Sequence, residues 1–306
     1  MKTLMKNKLK ILLTALTIGI IFSSCGQGVV EIGQNTYEPK IVIEGYLYPG
    51  LQVRNIGITR NIPLNTAADP TSIVVANADV KLTDLQTNKD YQLTFNVQKF
   101  SYEYSDGDLT IGFGKSYKLT VNAVIDGKNL SASSITNVPN AGFKINHVLS
   151  ELQPLYYRER SGNGNVKNFS ITFSPSTGTN FYAFSIAALD ASDSTFIYNN
   201  AYVNISHDDV TKNLDNYRYQ LIWLQDINSF GSEIKYNLDW IHFWFYGKYR
   251  IIVYAGDDNY KNFVLTYKNV QEFDGNFHEP QMNMQGDGIG IFGSVIADTV
   301  YVSVKK

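Results

Sequence analysis

The chain has one cysteine, Cys25, so no intramolecular disulfide can staple it and no set of thiolates can hold a metal. Its four histidines, His147, His207, His242 and His278, are scattered, and none falls in the short His-carboxylate spacings that zinc requires. A Gly-x-Ser-x-Gly elbow is missing, as is the twelve-residue calcium loop of an EF-hand. No glycine-rich loop runs into a helix in the way a phosphate site demands. Charged residues make up only 18% of the chain, and no basic block is present to neutralise a phosphate backbone. These absences lead us to expect no enzyme activity, no cofactor, no metal site and no nucleic-acid partner. An acid pair for glycoside hydrolysis is defined by separation in space and is not legible in sequence.

The N-terminus is where the sequence is most explicit. Met1 to Lys10 carries four lysines and no acid, Ile11 to Phe22 is apolar apart from Thr14, Thr17 and Gly19, and Ser23-Ser24-Cys25-Gly26 follows. A basic head, a short apolar segment and a small-residue exit describe a secretory signal over residues 1–24. The apolar run is shorter than the ~20 residues of a membrane span. Cys25, just past it, resembles the processing site of bacterial lipoproteins, where the cysteine is lipidated (a palmitate-type anchor) and becomes the new N-terminus. An ordinary signal peptide that happens to contain a cysteine is the alternative. Removal of residues 1–24 takes away four lysines and no acids, leaving 22 basic against 28 acidic residues and a formal charge of −6. That balance keeps a tethered protein soluble and off anionic membrane surfaces.

Twenty-one tyrosines and seventeen phenylalanines, with many Thr, Val and Ile, favour strands over helices. Residues 25–36 read as the lipidated cysteine and a tether. Lys40–Tyr48, Val53–Thr59, Ala78–Asp84, Tyr91–Val97, Lys115–Ile125 and Asn129–Ile135 alternate as half-buried strands do, with Asp126-Gly127 as a hairpin turn. Their spacing predicts an immunoglobulin-like β-sandwich over 37–138. Pro139-Asn140-Ala141-Gly142 marks a boundary, and a larger β-rich domain is expected over 140–306. In it, Phe169–Phe173, Phe181–Leu189, Arg218–Leu224, Tyr236–Tyr246, Tyr249–Tyr254 and Thr299–Val304 read as strands, and Asn199–Tyr217 as loop. Tyr260, Phe263, Val264, Tyr267 and Val270 follow helical spacing, which predicts one helix over about 258–272 with Asp257 or Asp258 at its N-cap. The fold class expected is all-β, mainly antiparallel.

Four features belong together: Cys25, the opening Tyr37-Glu38-Pro39-Lys40-Ile41-Val42-Ile43-Glu44-Gly45, the aromatic helix followed by Phe277-His278-Glu279-Pro280, and the closing Gly288-Ile289-Gly290-Ile291-Phe292-Gly293. In this order they resemble the envelope lipoproteins of Bacteroidetes known as domain of unknown function 4249 (DUF4249). The resemblance implies an outer-membrane lipoprotein, often encoded beside a TonB-dependent transporter and accessory to its uptake. It implies no catalytic residue. The acidic tract that often follows the lipidated cysteine in exported lipoproteins of this kind is absent, since Gly26 to Val30 is uncharged, so either membrane face, cell surface or periplasm, stays open.

The stretch expected to bind something is Trp240-Ile241-His242-Phe243-Trp244-Phe245-Tyr246. Read as a strand, it puts Trp240, His242, Trp244 and Tyr246 on one side, rings with polar handles that suit a partner interface or a sugar-stacking surface. The same residues also suit a strand buried on both faces. Arg218, Tyr219 and Trp223 would extend such a patch, and Tyr102 and Tyr104 pose the same question in the first half. His207-Asp208-Asp209 reads as a solvated loop. Asp193-Ser194-Thr195 and Asp298-Thr299-Val300 resemble the O-glycosylation sites of exported Bacteroidetes proteins. The function expected is a non-enzymatic accessory that binds a nutrient, the transporter barrel, or both, with a surface adhesin or glycan-binding lipoprotein as the alternative.

Overall fold

The computed structural model describes residues 37–63, 66–67, 69–152, 155–202, 204–225, 233–267 and 280–306. The chain divides into two compact units, Met1–Glu38 and Pro39–Lys306. The signal segment, Cys25 and its tether lie outside the described residues, as do Phe277, His278 and Glu279. Of the first unit only Tyr37 and Glu38 are described.

The second unit is mostly β, and its sheets are mainly antiparallel. Seven strands come from its first half: β1 Ile41–Leu47, β2 Gly57–Arg60, β3 Asp79–Asp84, β4 Lys89–Asn96, β5 Ser101–Glu103, β6 Ser116–Ile125 and β7 Lys128–Asn137. Then follow β8 Lys144–Ile145, β9 Leu155–Tyr156, β10 Phe169–Ser174 and β11 Tyr182–Ala188. Two short helices, α1 His207–Lys212 and α2 Leu214–Arg218, lead into β12 Tyr219–Leu224 and β13 Ile234–Leu238. The chain closes with β14 Gly247–Gly256, α3 Asp258–Tyr267, β15 Gln285–Gly286 and β16 Gly288–Lys305. The strands follow the side-chain alternation. In β6, Tyr117, Leu119, Val121, Ala123 and Ile125 are buried while their neighbours face outward. Asp126 (φ 51°) and Gly127 (φ 75°) then turn the chain into β7, two positive-φ residues being what a tight hairpin of matching twist needs.

β16, eighteen residues long, holds the architecture together. It sits inside a sheet ordered β12-β11-β14-β16-β1-β2, with β9 added at its far end. Its first half pairs in parallel with β1, Ile41 opposite Gly288 through Leu47 opposite Ser294. Its second half pairs antiparallel with β14, Val295 opposite Gly256 through Val304 opposite Gly247. The even-numbered side of β16 looks into two cores. Phe292 joins Ile41, Ile43, Ile56 and Ile58 against the six-stranded sheet β15-β7-β6-β3-β4-β5. Val300, Val302 and Val304 join Phe184, Ile251 and Val253 against the three-stranded sheet β13-β10-β8. Two sandwich-like packings thus share one sheet, and the first borrows a strand from the chain's C-terminal end.

Several expectations change. The last strand, expected over Thr299–Val304, begins already at Gly288. The polar stretch 199–217 contains α1 and α2, because Ser206 caps α1 by accepting the Asp209 amide at 3.2 Å and Val210 is fully buried. The segment Tyr236–Tyr246 is not one strand. β13 ends at Leu238, and Trp240–His242 is a 3-10 turn after Asp239. The predicted helix begins at Asp258 and is described to Tyr267, while Val270 lies outside the described residues.

Candidate functional site

The 3-10 turn dissolves the single face that a strand over 240–246 would have built. Trp240 is buried, donates from Nε1 to the Lys167 carbonyl at 2.7 Å, and packs on Tyr157 and Phe243. Phe243 and Phe245 are fully buried, whereas Ile241 is exposed. His242 is half-buried, and burial holds its imidazole below the usual range against the opposing pull of Asp239. Trp244 lies between Phe196 and Tyr217, at ring-centroid distances of 6.1 and 5.2 Å. Its Nε1 is buried with no hydrogen-bond partner. Tyr246 touches Tyr157 at 6.0 Å, and Lys306 Nζ lies 5.5 Å from its ring centre. Of the expected quartet, then, Trp240 belongs to the core, and Trp244 and Tyr246 stand at its margin.

The other sequence candidates are absorbed by the fold. Tyr102 is a buried strut whose hydroxyl donates to the Val75 carbonyl at 2.7 Å and accepts from the Ala78 amide at 2.8 Å. The Tyr104 hydroxyl donates to Asp108 at 2.5 Å. Asp193 accepts from the Tyr198 hydroxyl and meets His207 Nε2 at 3.0 Å, while the His207 ring stacks on Tyr198. Asp298 accepts the Ile145 amide at 2.9 Å. Asp257 caps α3, its Oδ1 accepting the Tyr260 amide at 2.9 Å. Among the described residues no group of His, Cys, Asp and Glu is arranged to hold a metal ion.

What remains open is the face of the large sheet turned away from both cores. Register places Trp223, Ala183, Tyr254 and Ala297 in one row across it. Leu221, Ser185, Ile252 and Thr299 form the next, and Tyr219, Ala187, Arg250 and Tyr301 a third. The small side chains of β11 make a trough between walls of larger ones. Helix α3 closes one end of the face, where the Tyr260 ring meets Tyr46 at 5.8 Å edge-on and Tyr254 at 6.2 Å. The absence of a side chain at Gly293 lets α3 sit close, since a Cβ would come within 3.1 Å of the capping oxygen of Asp257 and 3.4 Å of the Tyr260 amide nitrogen. A cleft of about 270 Å³ runs between Tyr46, Tyr48, Leu221, Tyr254 and Tyr260. Beyond Tyr48 it meets a second cleft of about 580 Å³ with Leu51, Gln52, Arg54 and Thr110 in its wall. Burial raises the Tyr46, Tyr254 and Tyr260 hydroxyls above the usual phenol range, so they stay protonated and act as neutral polar handles.

At the exposed end of the face stand Tyr219 (55% exposed), Leu221 (39%) and Tyr301 (64%). Arg250 Nε is buried there without a hydrogen-bond partner. In the sequence, Tyr219 and Trp223 stand only as extensions of a patch centred on 240–246, and Tyr46, Tyr48 and Tyr254 only as strand residues. The available signal was Ala183-x-Ser185-x-Ala187, small residues alternating with Phe184 and Ile186 on a central strand.

A family model described as Domain of unknown function (DUF4249) matches residues 29–299, so both the opening strand and the closing glycine-rich motif fall within the match. Comparison with curated proteins finds no match.

Proposed function

Because the chain belongs to the DUF4249 family, whose described character is that of a domain of unknown function, we propose from its own residues that it is an outer-membrane lipoprotein. It is tethered through Cys25 and serves a TonB-dependent transporter as a non-enzymatic accessory. The observation that carries this reading is the open, tyrosine-rich face of the large sheet. Strands lie about 4.8 Å apart, so the face from β12 to β1 is roughly 20 Å across. It exposes Tyr219, Leu221 and Tyr301 around an arginine with an unused donor. Tyr and Arg are the residues that concentrate binding energy at protein interfaces, where a partner's acceptor can complete the guanidinium. The partner assigned to this face is the transporter barrel.

Two measurements bear on the proposal. Cys25→Ser removes the lipidation site, and the protein should shift from the membrane to the soluble fraction on cell fractionation. Tyr219→Ala combined with Leu221→Asp should reduce co-purification of the barrel at least tenfold, the weight of about 1.4 kcal/mol or more. Both side chains are exposed, so the melting temperature should change little. Unchanged co-purification by the folded double variant contradicts the assignment of this face.

A glycan-binding role at the cell surface is the second reading. It is favoured by the cleft of about 580 Å³, a small-ligand size, whose tyrosine wall is joined by Gln52, Arg54 and Thr110. Retention of glycans by the isolated protein, with no barrel recovered, would select it.

A further inference from the structure

Arg158 adopts φ 52°, the left-handed region in which a long side chain is strained and which non-glycine residues occupy where their surroundings demand it. It follows β9, which is pinned to the end of β16 through Leu155 opposite Val304 and Tyr156 opposite Lys305. In that conformation its guanidinium carbon lies 5.6 Å from the ring centre of Tyr202, and its Nε is buried with no hydrogen-bond partner. The segment facing it repeats the pattern. Asn200 spends its Oδ1 on the Tyr202 amide at 2.8 Å, which leaves a buried Nδ2 without an acceptor. The Tyr157 hydroxyl faces the Ala201 amide, and its own proton has no acceptor.

All three orphaned groups can donate, and buried polar groups in folded proteins are almost always paired. The strained arginine and the two donors beside it lack one thing, an acceptor. The neighbouring acid does not supply it, because Glu159 pairs with Lys167 at 2.9 Å. A second cation stands on the same side, Lys306 Nζ over the Tyr246 ring, and that ring touches Tyr157.

We infer that Arg158, Tyr157 and Asn200 form a receiving site for the carboxylate of an acidic sugar. A guanidinium presents Nε and one Nη side by side to a planar carboxylate, which is the geometry an unused Nε leaves open. One guanidinium with neutral donors matches a single negative charge better than the near-double charge of a phosphate. The rings of Tyr202 and Tyr246 flank the site and supply apolar surface for a sugar ring.

The test is calorimetric titration of the full lipidated protein in detergent with glucuronate, using glucose as the neutral control and inorganic phosphate as the anion control. Glucuronate should bind saturably, more tightly than either control, and more weakly as salt is raised. Arg158→Gly removes the fork and relieves the positive φ, so the melting temperature should hold or rise while glucuronate affinity falls at least about tenfold. Arg158→Lys keeps the charge without the fork and should bind at an intermediate strength. Equal or absent binding of glucuronate and glucose would mean that the donors are met by water, and would overturn the inference. So would wild-type glucuronate affinity in Arg158→Gly.

Discussion

Replacing Gly290 by alanine is expected to remove a large share of the protein's stability. Gly290 has φ 109°, and a Cβ built there would lie 2.1 Å from the Ile43 carbonyl oxygen and 3.0 Å from the Ile43 carbonyl carbon. Those are backbone atoms of the paired strand, so no side-chain rotation relieves the collision. Nor can β1 retreat, because Ile41 and Ile43 are fully buried and the strand is held from Ile41 to Leu47 by its parallel pairing with β16. Strain of this kind added to a lost strand pairing exceeds roughly 4 kcal/mol, a large share of the 5–15 kcal/mol that holds a typical protein folded. The comparison variant is Gly127→Ala, at φ 75° with nothing within 4 Å of the new Cβ, which carries the conformational cost alone, about 1 kcal/mol. Urea denaturation of the two variants measures the difference. A Gly290→Ala protein as stable as Gly127→Ala would contradict the close approach of β1 and β16.

The second large effect is expected at Asp257, in the buried polar cluster where β7, α3 and β16 meet. Its Oδ1 caps α3, its Oδ2 accepts from the Thr136 hydroxyl at 2.6 Å, and its amide donates to the Ser294 carbonyl at 3.0 Å. The Ser294 hydroxyl lies 2.8 Å from that of Thr136, and Asn259 Nδ2 donates to the carbonyls of Ile135 and Phe292. Asp257→Ala removes the cap and leaves the Thr136 hydroxyl with Ser294 as its remaining side-chain partner, at a cost of about 1–3 kcal/mol. Asp257→Asn keeps an oxygen for the Tyr260 amide and should cost less.

The pH dependence of Asp257 has an uncommon sign. Burial raises its carboxyl above the usual range, against the hydrogen bonds that lower it. A carboxyl whose folded pKa lies above its unfolded value takes up its proton first in the folded state. Its contribution therefore favours folding increasingly as pH falls through the folded pKa, and levels off below the unfolded value near 3.8. Asp84, held low by Lys115 and two backbone amides despite its burial, acts in the opposite direction. The difference in melting temperature between wild type and Asp257→Asn, followed from pH 7 down to pH 4, isolates the Asp257 contribution. That difference should move in favour of wild type on acidification.

The strands were legible because their alternation is local. Tyr117 to Ile125 announces its buried side within ten residues, and Asp126-Gly127 announces the turn. Part of the role of Gly288 to Gly293 is legible, since glycines so closely spaced signal positive φ or a tight backbone approach, and Gly290 has both, at φ 109° against the Ile43 carbonyl; that the segment already belongs to β16 is not legible. A parallel pairing between residues 41–47 and 288–294 leaves no trace in either segment alone. The aromatic stretch misled for the opposite reason. Trp240 to Tyr246 alternates like a strand, but the chain tightens into a 3-10 turn so that Trp240, Phe243 and Phe245 can all enter one core. Likewise the tyrosines of the outer face of the large sheet, Tyr46, Tyr219, Tyr254 and Tyr301, come from β1, β12, β14 and β16, and only the register assembles them into one face.

The open face of the large sheet is the surface proposed to meet a transporter. The decisive measurement is a pull-down of the native full-length protein, tagged at its C-terminus, from the detergent-solubilised cell envelope. Recovery of a TonB-dependent barrel in stoichiometric amount, lost with Tyr219→Ala/Leu221→Asp, is the predicted result. Recovery of the protein alone would contradict it.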